Sequence, residues 1–235
     1  MRAAALVFVA CACATTLAVA QTEQEMTEQR DRMVDRQIEK RGIENARVLQ
    51  ALRDVKRHLF VPPEDVTSAY DDHPLPIGHG QTISQPYIVA LMTETIDPQP
   101  SDNVLEIGTG SGYQAAVLSR LVEHVYTIEI VPALGTAATT RLQQLGYENV
   151  TVKIGDGYKG WSEHAPFDKI VVTAAPPEVP EALIDQLAKG GRMVVPVGTT
   201  FQELLLVEKS KDGDVSKRVI TGVRFVPMVK GKQAE

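Results

Sequence analysis

Cysteine is nearly absent from this sequence: there are two, Cys11 and Cys13, both close to the N-terminus. A chain from which the first twenty residues had been removed would have neither a disulfide framework nor a cysteine nucleophile. Aromatic residues make up only 5% of the chain, too few for a base-stacking surface, and a net charge of −6 exerts no pull on a polyanion. Nucleic acid is therefore not an expected partner. No glycine turn runs into Gly-Lys-Ser/Thr, which excludes a P-loop. His73 and His79 stand near Asp71 and Asp72, but their spacing matches no metal site, so no metal is expected. Past residue 20, no uncharged run is long enough to cross a membrane.

The first twenty residues differ from the rest. Arg2 is followed by an uncharged run from Ala3 to Ala20 that ends in Ala18-Val19-Ala20, the pattern of a secretory signal peptide cut before Gln21. Such a leader implies export to the periplasm or beyond. The alternative is cytoplasmic residence with a leader that does not function.

Residues 22–41 read as an exposed helix with a thin apolar stripe, closed by Gly42. A second helix starts at Asn45 and places Val48, Leu52, Val55 and Leu59 at three- and four-residue steps. The Pro- and Gly-rich stretch "AYDDHPLPIGHGQTISQP" has no period and reads as a long functional loop, able to close over a site. Apolar, β-branched runs follow at "NVLEI", "HVYTIEI", "VTVKI", "KIVVT" and "RMVVPV". Helical stretches lie between them at Gln114–Leu121 and Pro132–Leu145, and a third opens at Pro180, buries Leu183, Ile184 and Leu187, and ends at Gly190-Gly191. "QELLLVEK" and "RVITGVRFVPM" form a closing strand pair. Together these predict an α/β fold, a doubly wound, mostly parallel sheet of Rossmann-like type with an N-terminal helical extension. Residues 21–80 carry the helices and a substrate-side loop, and 81–235 the core, as one globular unit.

The turn "VLEIGTGSGY" is where a ligand belongs. In an open parallel sheet, ligands sit beyond the carboxyl ends of the strands. Gly108, Gly110 and Gly112 alternate, whereas a dinucleotide fingerprint needs G-x-G-x-x-G, and here its third glycine would fall on Tyr113. Glu106 adds a carboxylate, unfavourable to a diphosphate and favourable to a cation. Glu129 lies 21 residues after Gly108, where a carboxylate grips ribose hydroxyls, and Asp156 follows the third strand, where it can accept from an exocyclic amine. Three acids at successive strand ends fit a cationic nucleoside, S-adenosylmethionine, which leaves as S-adenosylhomocysteine.

From about Met33 to Met228, the chain resembles the protein-L-isoaspartate (D-aspartate) O-methyltransferase family. The resemblance rests on "RVLQALRDVKRHLFVP", "LPIGHGQTISQPYIVALMTE", "VLEIGTGSGYQAAVLS", "GDGYKGW", "APFDKIVVTAAP", "GGRMVVPVG" and "VRFVPM". "GQTISQPYIVA" is its most specific part. Lys56 departs from the pattern, in which proline more often precedes that Arg-His. The leader departs more seriously, because the family is usually cytoplasmic. The resemblance implies a seven-stranded sheet with its last strands interchanged relative to the usual methyltransferase order. It also implies methyl transfer to the free α-carboxylate of isoaspartyl residues in damaged peptides and proteins, which starts repair through a succinimide, by a protein expected to be monomeric. It places Gln81, Thr82, Ile83 and Ser84 along the cofactor and substrate cleft, with Ser84 as the active-site serine. Gly108, Glu129 and Asp156, with Gly155 beside it, become cofactor contacts, and Thr82, Val226 and Pro227 lie near the bound peptide.

The acceptor carboxyl has a pKa of roughly 3 to 4 and is ionised at neutral pH, so no general base is needed. Ser84 is accordingly expected to orient the carboxylate, not to attack. Two alternatives keep the fold: an exported methyltransferase for another carboxylate, which would not need "GQTISQP", and an exported binding module without turnover, in which the acids and Ser84 would be dispensable.

Overall fold

The computed structural model describes residues 23–231; the leader assigned to residues 1–20 lies outside the described residues. The apolar runs form strands β3 (Asn103–Ile107), β4 (His124–Glu129), β5 (Val150–Ile154), β6 (Phe167–Val172), β7 (Leu187–Val197), β8 (Gln202–Lys209) and β9 (Val215–Val223). They make one seven-stranded sheet in the order β5-β4-β3-β6-β7-β8-β9. Pairings from β5 to β7 are parallel, and β8 and β9 close the edge as an antiparallel meander. Because side chains alternate along a strand, each central strand feeds two cores. Val104, Val171 and Val194 join one hydrophobic cluster, while Leu105, Ile107, Ile170, Val172, Met193 and Val195 join the other.

Helices α2 (Ala46–Asp54), α3 (Pro86–Thr95), α4 (Tyr113–Ser119) and α5 (Pro132–Gln144) contribute to the first cluster, α6 (Glu181–Gln186) to the second. Helix α1, over 23–33, continues through a π-helical turn, Val34–Ile38, and a 3-10 turn to Gly42, whose φ of 93° ends it. Asn45 caps α2 by accepting from the amides of Arg47 and Val48. Arg47 in turn donates to the carbonyls of Pro98 and Leu121. Arg57 is fully buried, donates to the Ala69 carbonyl and lies 4.9 Å from the centre of the Tyr113 ring. Burial lowers its pKa to about 10, so it keeps its charge at neutral pH. Through these contacts the extension shares the core of the sheet domain.

Three local expectations differ from what is observed. Leu59 is 39% exposed, because α2 stops at Asp54 and Leu59 falls in a 3-10 turn. Helix α6 stops at Gln186 and not at Gly190-Gly191, because Leu187 already pairs with Phe167 as the start of β7. Lys209 Nζ donates to the Ile184 and Leu187 carbonyls, supplying the cation favoured at a helix C-terminus. The Pro- and Gly-rich loop contains a hairpin, β1 (Leu75–Gly78) and β2 (Gln81–Ile83). Its tip turns through His79 and Gly80 with φ of 53° and 70°, the pair of positive values a tight two-residue hairpin turn demands.

Candidate active site

The connections after β3 and β6 leave the sheet in opposite directions, so the crevice at their carboxyl ends is the topological switch point. Gly108 and Thr173 face each other there. Gly108 has a φ of 99°, and a Cβ on it would lie 2.4 Å from Thr173 Oγ1. Thr173 Oγ1 donates to the carbonyls of Ile107 and Gly108 at 2.9 and 2.7 Å, fixing the first glycine against the neighbouring strand.

The cleft encloses about 590 Å³ of atom-free space, part of it open to solvent. Gln81 and Thr82 of the hairpin line it on one side, and Ile107, Gly108, Gly110, Ile128, Glu129 and Ile130 at the ends of β3 and β4. Gly157, Thr173, Ala174 and the C-terminal segment Val226–Val229 complete it. That segment is pinned in place: the amides of Ala175 and Met228 bond to the carbonyls of Val226 and Ala175, and Tyr158 Oη donates to the Met228 carbonyl. A Cβ at Gly110 would stand 3.3 Å from Ile77 Cδ1, so the hairpin already lies on the glycine loop.

Glu129 carries the only charge among these lining residues. Its two carboxylate oxygens accept from the Gly110 amide at 2.7 Å and the Val131 amide at 2.9 Å. Glu106 lies on the opposite face of β3 from Ile107, fully buried. Thr127 Oγ1 donates to its Oε2 at 2.5 Å and meets Thr109 Oγ1 at 2.7 Å, linking the acid to the glycine loop from below. Its Oε1 has no partner among the described residues. Burial pushes the Glu106 carboxyl up to about 8, the Thr127 hydrogen bond acting against this and the Glu129 charge adding to it.

Of the residues predicted from sequence, Gln81, Thr82, Gly108, Gly110, Glu129, Val226 and Pro227 therefore come together in the lining. The others lie around it. Ile83 points into the core, paired with Leu75, because strand alternation turns it away from exposed Thr82. Glu106 is beneath the loop for the same reason of alternation. Gly112 precedes α4 with a φ of 88°, and a Cβ there would press on Leu142 at 3.2 Å, so it serves helix packing. Gly155 follows β5, with its amide on the Glu129 carbonyl. Asp156 caps the following turn by accepting from the Tyr158 amide, and Gly231 packs over it. Ser84 is half-buried between β2 and α3, and its hydroxyl has no protein partner among the described residues. His79 is spent on the hairpin tip and His73 bonds the Pro74 carbonyl; no group of three or more metal-binding side chains forms among the described residues.

Thr173 and Ala174 were not anticipated. Their signal is topological: "KIVVTAAP" ends the strand beside β3, and that adjacency appears only with the strand order.

A sequence model described as protein-L-isoaspartate(D-aspartate) O-methyltransferase matches residues 28–233. The chain belongs to this family. A Polaromonas protein named protein-L-isoaspartate O-methyltransferase 2 is 59% identical over 184 residues, 77% of this chain and 87% of that one. A Gloeobacter violaceus protein-L-isoaspartate O-methyltransferase is 54% identical over 205 residues, 86% of this chain and all of the relative. Among solved structures, one described as a protein-L-isoaspartate O-methyltransferase superposes with a TM-score of 0.77 at 31% identity. The match covers 86% of this chain and 65% of that longer one. A candidate family member from Plasmodium falciparum, solved with S-adenosyl-L-homocysteine, shares the fold at a TM-score of 0.73 and 24% identity, over 86% and 99% of the two chains.

Proposed function

We propose that this chain methylates the free α-carboxylate of L-isoaspartyl residues in peptides and proteins, with S-adenosylmethionine as donor and S-adenosylhomocysteine as product. The observation that carries this reading is a family match over residues 28–233 joined to a cleft whose lining among the described residues offers Glu129 and no basic side chain. Such a lining suits a cationic nucleoside and offers no clamp for a dinucleotide's phosphates. Glu106 fits the same ligand, because a fully buried carboxyl with one unpartnered oxygen gains from a cation nearby. Gly108 and Gly110 give close backbone approach, and Glu129 supplies acceptors for hydroxyl groups.

When bound, S-adenosylmethionine supplies a methyl group on a positively charged sulfur. The protein has to hold an already ionised carboxylate in line with that methyl and keep water out. Effective placement of two reacting groups is worth up to about 7 to 11 kcal/mol, so positioning alone can supply most of the rate. Ser84, with Thr82 and the backbone around it, orients the carboxylate in this reading. The hairpin brings Gln81 and Thr82 to the crevice, and Val226–Val229 covers it with apolar surface. Opposite charges cancel as the methyl moves, and a dry cleft favours that loss of charge. The resulting ester is open to attack by the following backbone amide nitrogen, which forms the succinimide as the ester C–O bond breaks and methanol leaves with the amide proton, and so begins repair.

The test uses labelled S-adenosylmethionine and two peptides that differ only in Asp versus isoAsp. Label on the isoAsp peptide alone is expected; label on both, or on neither while cofactor binds, refutes the acceptor. We further propose that the protein acts as a monomer outside the cytosol, since the first twenty residues have the pattern of an export signal. Sedimentation, and an N-terminus at Gln21 in protein from the native cell, check these two points.

A further inference from the structure

Helix α3 begins without a cap of its own. Gln85 stands at the N-cap position with no side-chain bond to the helix, and Pro86 has no amide to offer. The first amide needing a partner is that of Tyr87. It donates at 3.2 Å to Asp72 Oδ1, from a residue fifteen positions earlier in the chain. The other oxygen, Asp72 Oδ2, accepts from Gln85 Nε2 at 2.7 Å and from Arg41 Nη1 at 2.5 Å. The Arg41 guanidinium also lies 3.4 Å from the centre of the Tyr87 ring.

One carboxylate thus fastens three segments: the 3-10 turn that continues α1, the stretch leading into β1, and the start of α3. Gln85 and Tyr87 flank Pro86 directly after Ser84. As an ion pair, Arg41 with Asp72 is too exposed to contribute much through charge alone, with side chains 44% and 22% accessible. Its geometry matters more. A borrowed anion at a helix N-terminus is favourable, and here it sets where the chain between β2 and α3 must run.

We propose that Asp72 is a positioning residue for the acceptor half of the site, acting through Gln85 and Tyr87 to hold the backbone that presents Ser84. This rests on Ser84 as the orienting serine. Asp72 does not line the cleft, so cofactor affinity is expected to be independent of it.

The test begins with the parent protein and the isoAsp peptide; a parent that does not methylate it refutes the proposed function before any variant is made. With an active parent, Asp72→Asn keeps an oxygen for the Tyr87 amide but turns an NH2 toward the donors of Gln85 and Arg41. Expected is a fall in kcat of roughly 10- to 100-fold, the scale set by small misplacement of reacting groups. Rates are taken well below each variant's melting temperature and per S-adenosylhomocysteine-binding site, with calorimetric affinity for that ligand within about twofold of the parent. Adding Gln85→Glu to Asp72→Asn gives the new NH2 a carboxylate to meet and restores most of the rate, although each single variant is impaired. An unchanged kcat in Asp72→Asn, a rate loss matched by loss of S-adenosylhomocysteine affinity, or a double variant no better than Asp72→Asn would each overturn the proposal.

Discussion

Glu106 makes this protein's stability depend on pH in a direction unusual for a carboxylate. Its folded-state pKa is raised from 4.5 to about 8 by complete burial, with only the Thr127 hydroxyl to offset the loss of water. Between these two values the unfolded chain has released a proton that the folded chain still holds. Raising the pH through that window therefore favours unfolding. The effect is absent below pH 4.5 and complete above about 8. At about 1.4 kcal/mol per pH unit, the gap costs the fold at most about 5 kcal/mol, of which about 3 kcal/mol is already lost at pH 7. Against a typical net stability of about 5 to 15 kcal/mol, that is large.

Glu106→Gln removes the titration and keeps the shape. Urea unfolding of cofactor-free protein, followed through the single buried Trp161, gives the free energy at pH 5, 6, 7 and 8. The difference, variant minus parent, is expected to grow steadily with pH across this range. A difference that stays constant from pH 5 to 8 would show that Glu106 ionises normally and would refute the account of its burial. A second readout follows from the ligand: cationic S-adenosylmethionine favours the ionised acid, so binding at pH 7 to the parent releases a proton. Calorimetry in buffers of different ionisation enthalpy detects that release, and Glu106→Gln abolishes it.

Three other substitutions test the remaining geometry. Gly108→Ala forces a side chain onto a φ of 99° and places its methyl 2.4 Å from Thr173 Oγ1, so S-adenosylhomocysteine affinity should fall more than about tenfold by calorimetry. Gly112→Ala strains a φ of 88° and presses on Leu142; thermal melts should show a loss of about 1 to 3 kcal/mol, while the folded variant binds the cofactor product normally. Equal damage to affinity in that variant would return Gly112 to the cleft. Ser84→Ala should cut turnover of the isoAsp peptide with S-adenosylhomocysteine affinity nearly unchanged, and equal loss of both would end its orienting role.

The sheet was legible because its central strands are buried on both faces and read as unbroken β-branched runs, and because Gly108 follows the first of them. What escaped was whatever depends on parity or on neighbours. Glu106 and Ile107 are adjacent in sequence, yet only one can face the crevice, and the side is decided by which helix packs on which face. Thr173 is one threonine at the end of one strand until β6 is seen beside β3. The β1–β2 hairpin hid in a stretch without period, although Gly78-His79-Gly80 carried the turn chemistry. Asp72 belongs to no motif, since its three partners come from positions 41, 85 and 87.

Donor and acceptor halves of the cleft come from different parts of the chain. The glycine loop, Glu129, Gly157 and Thr173 sit on the ends of four parallel strands, positioned by the rigid sheet. Gln81, Thr82 and Val226–Val229 are brought in by a hairpin and a tail that belong to no strand of that sheet. Each is held by a few directional bonds: Asp72 to the start of α3, Ala175 to Val226 and Met228 of the tail segment. Damage to the sheet ends should therefore lower cofactor affinity and turnover together, whereas damage to the fastenings should lower turnover alone. The contrast between Gly108→Ala and Ser84→Ala or Asp72→Asn tests that division directly. If all three variants lost cofactor affinity alike, the hairpin would be part of the donor site, and acceptor choice would have to reside in the tail.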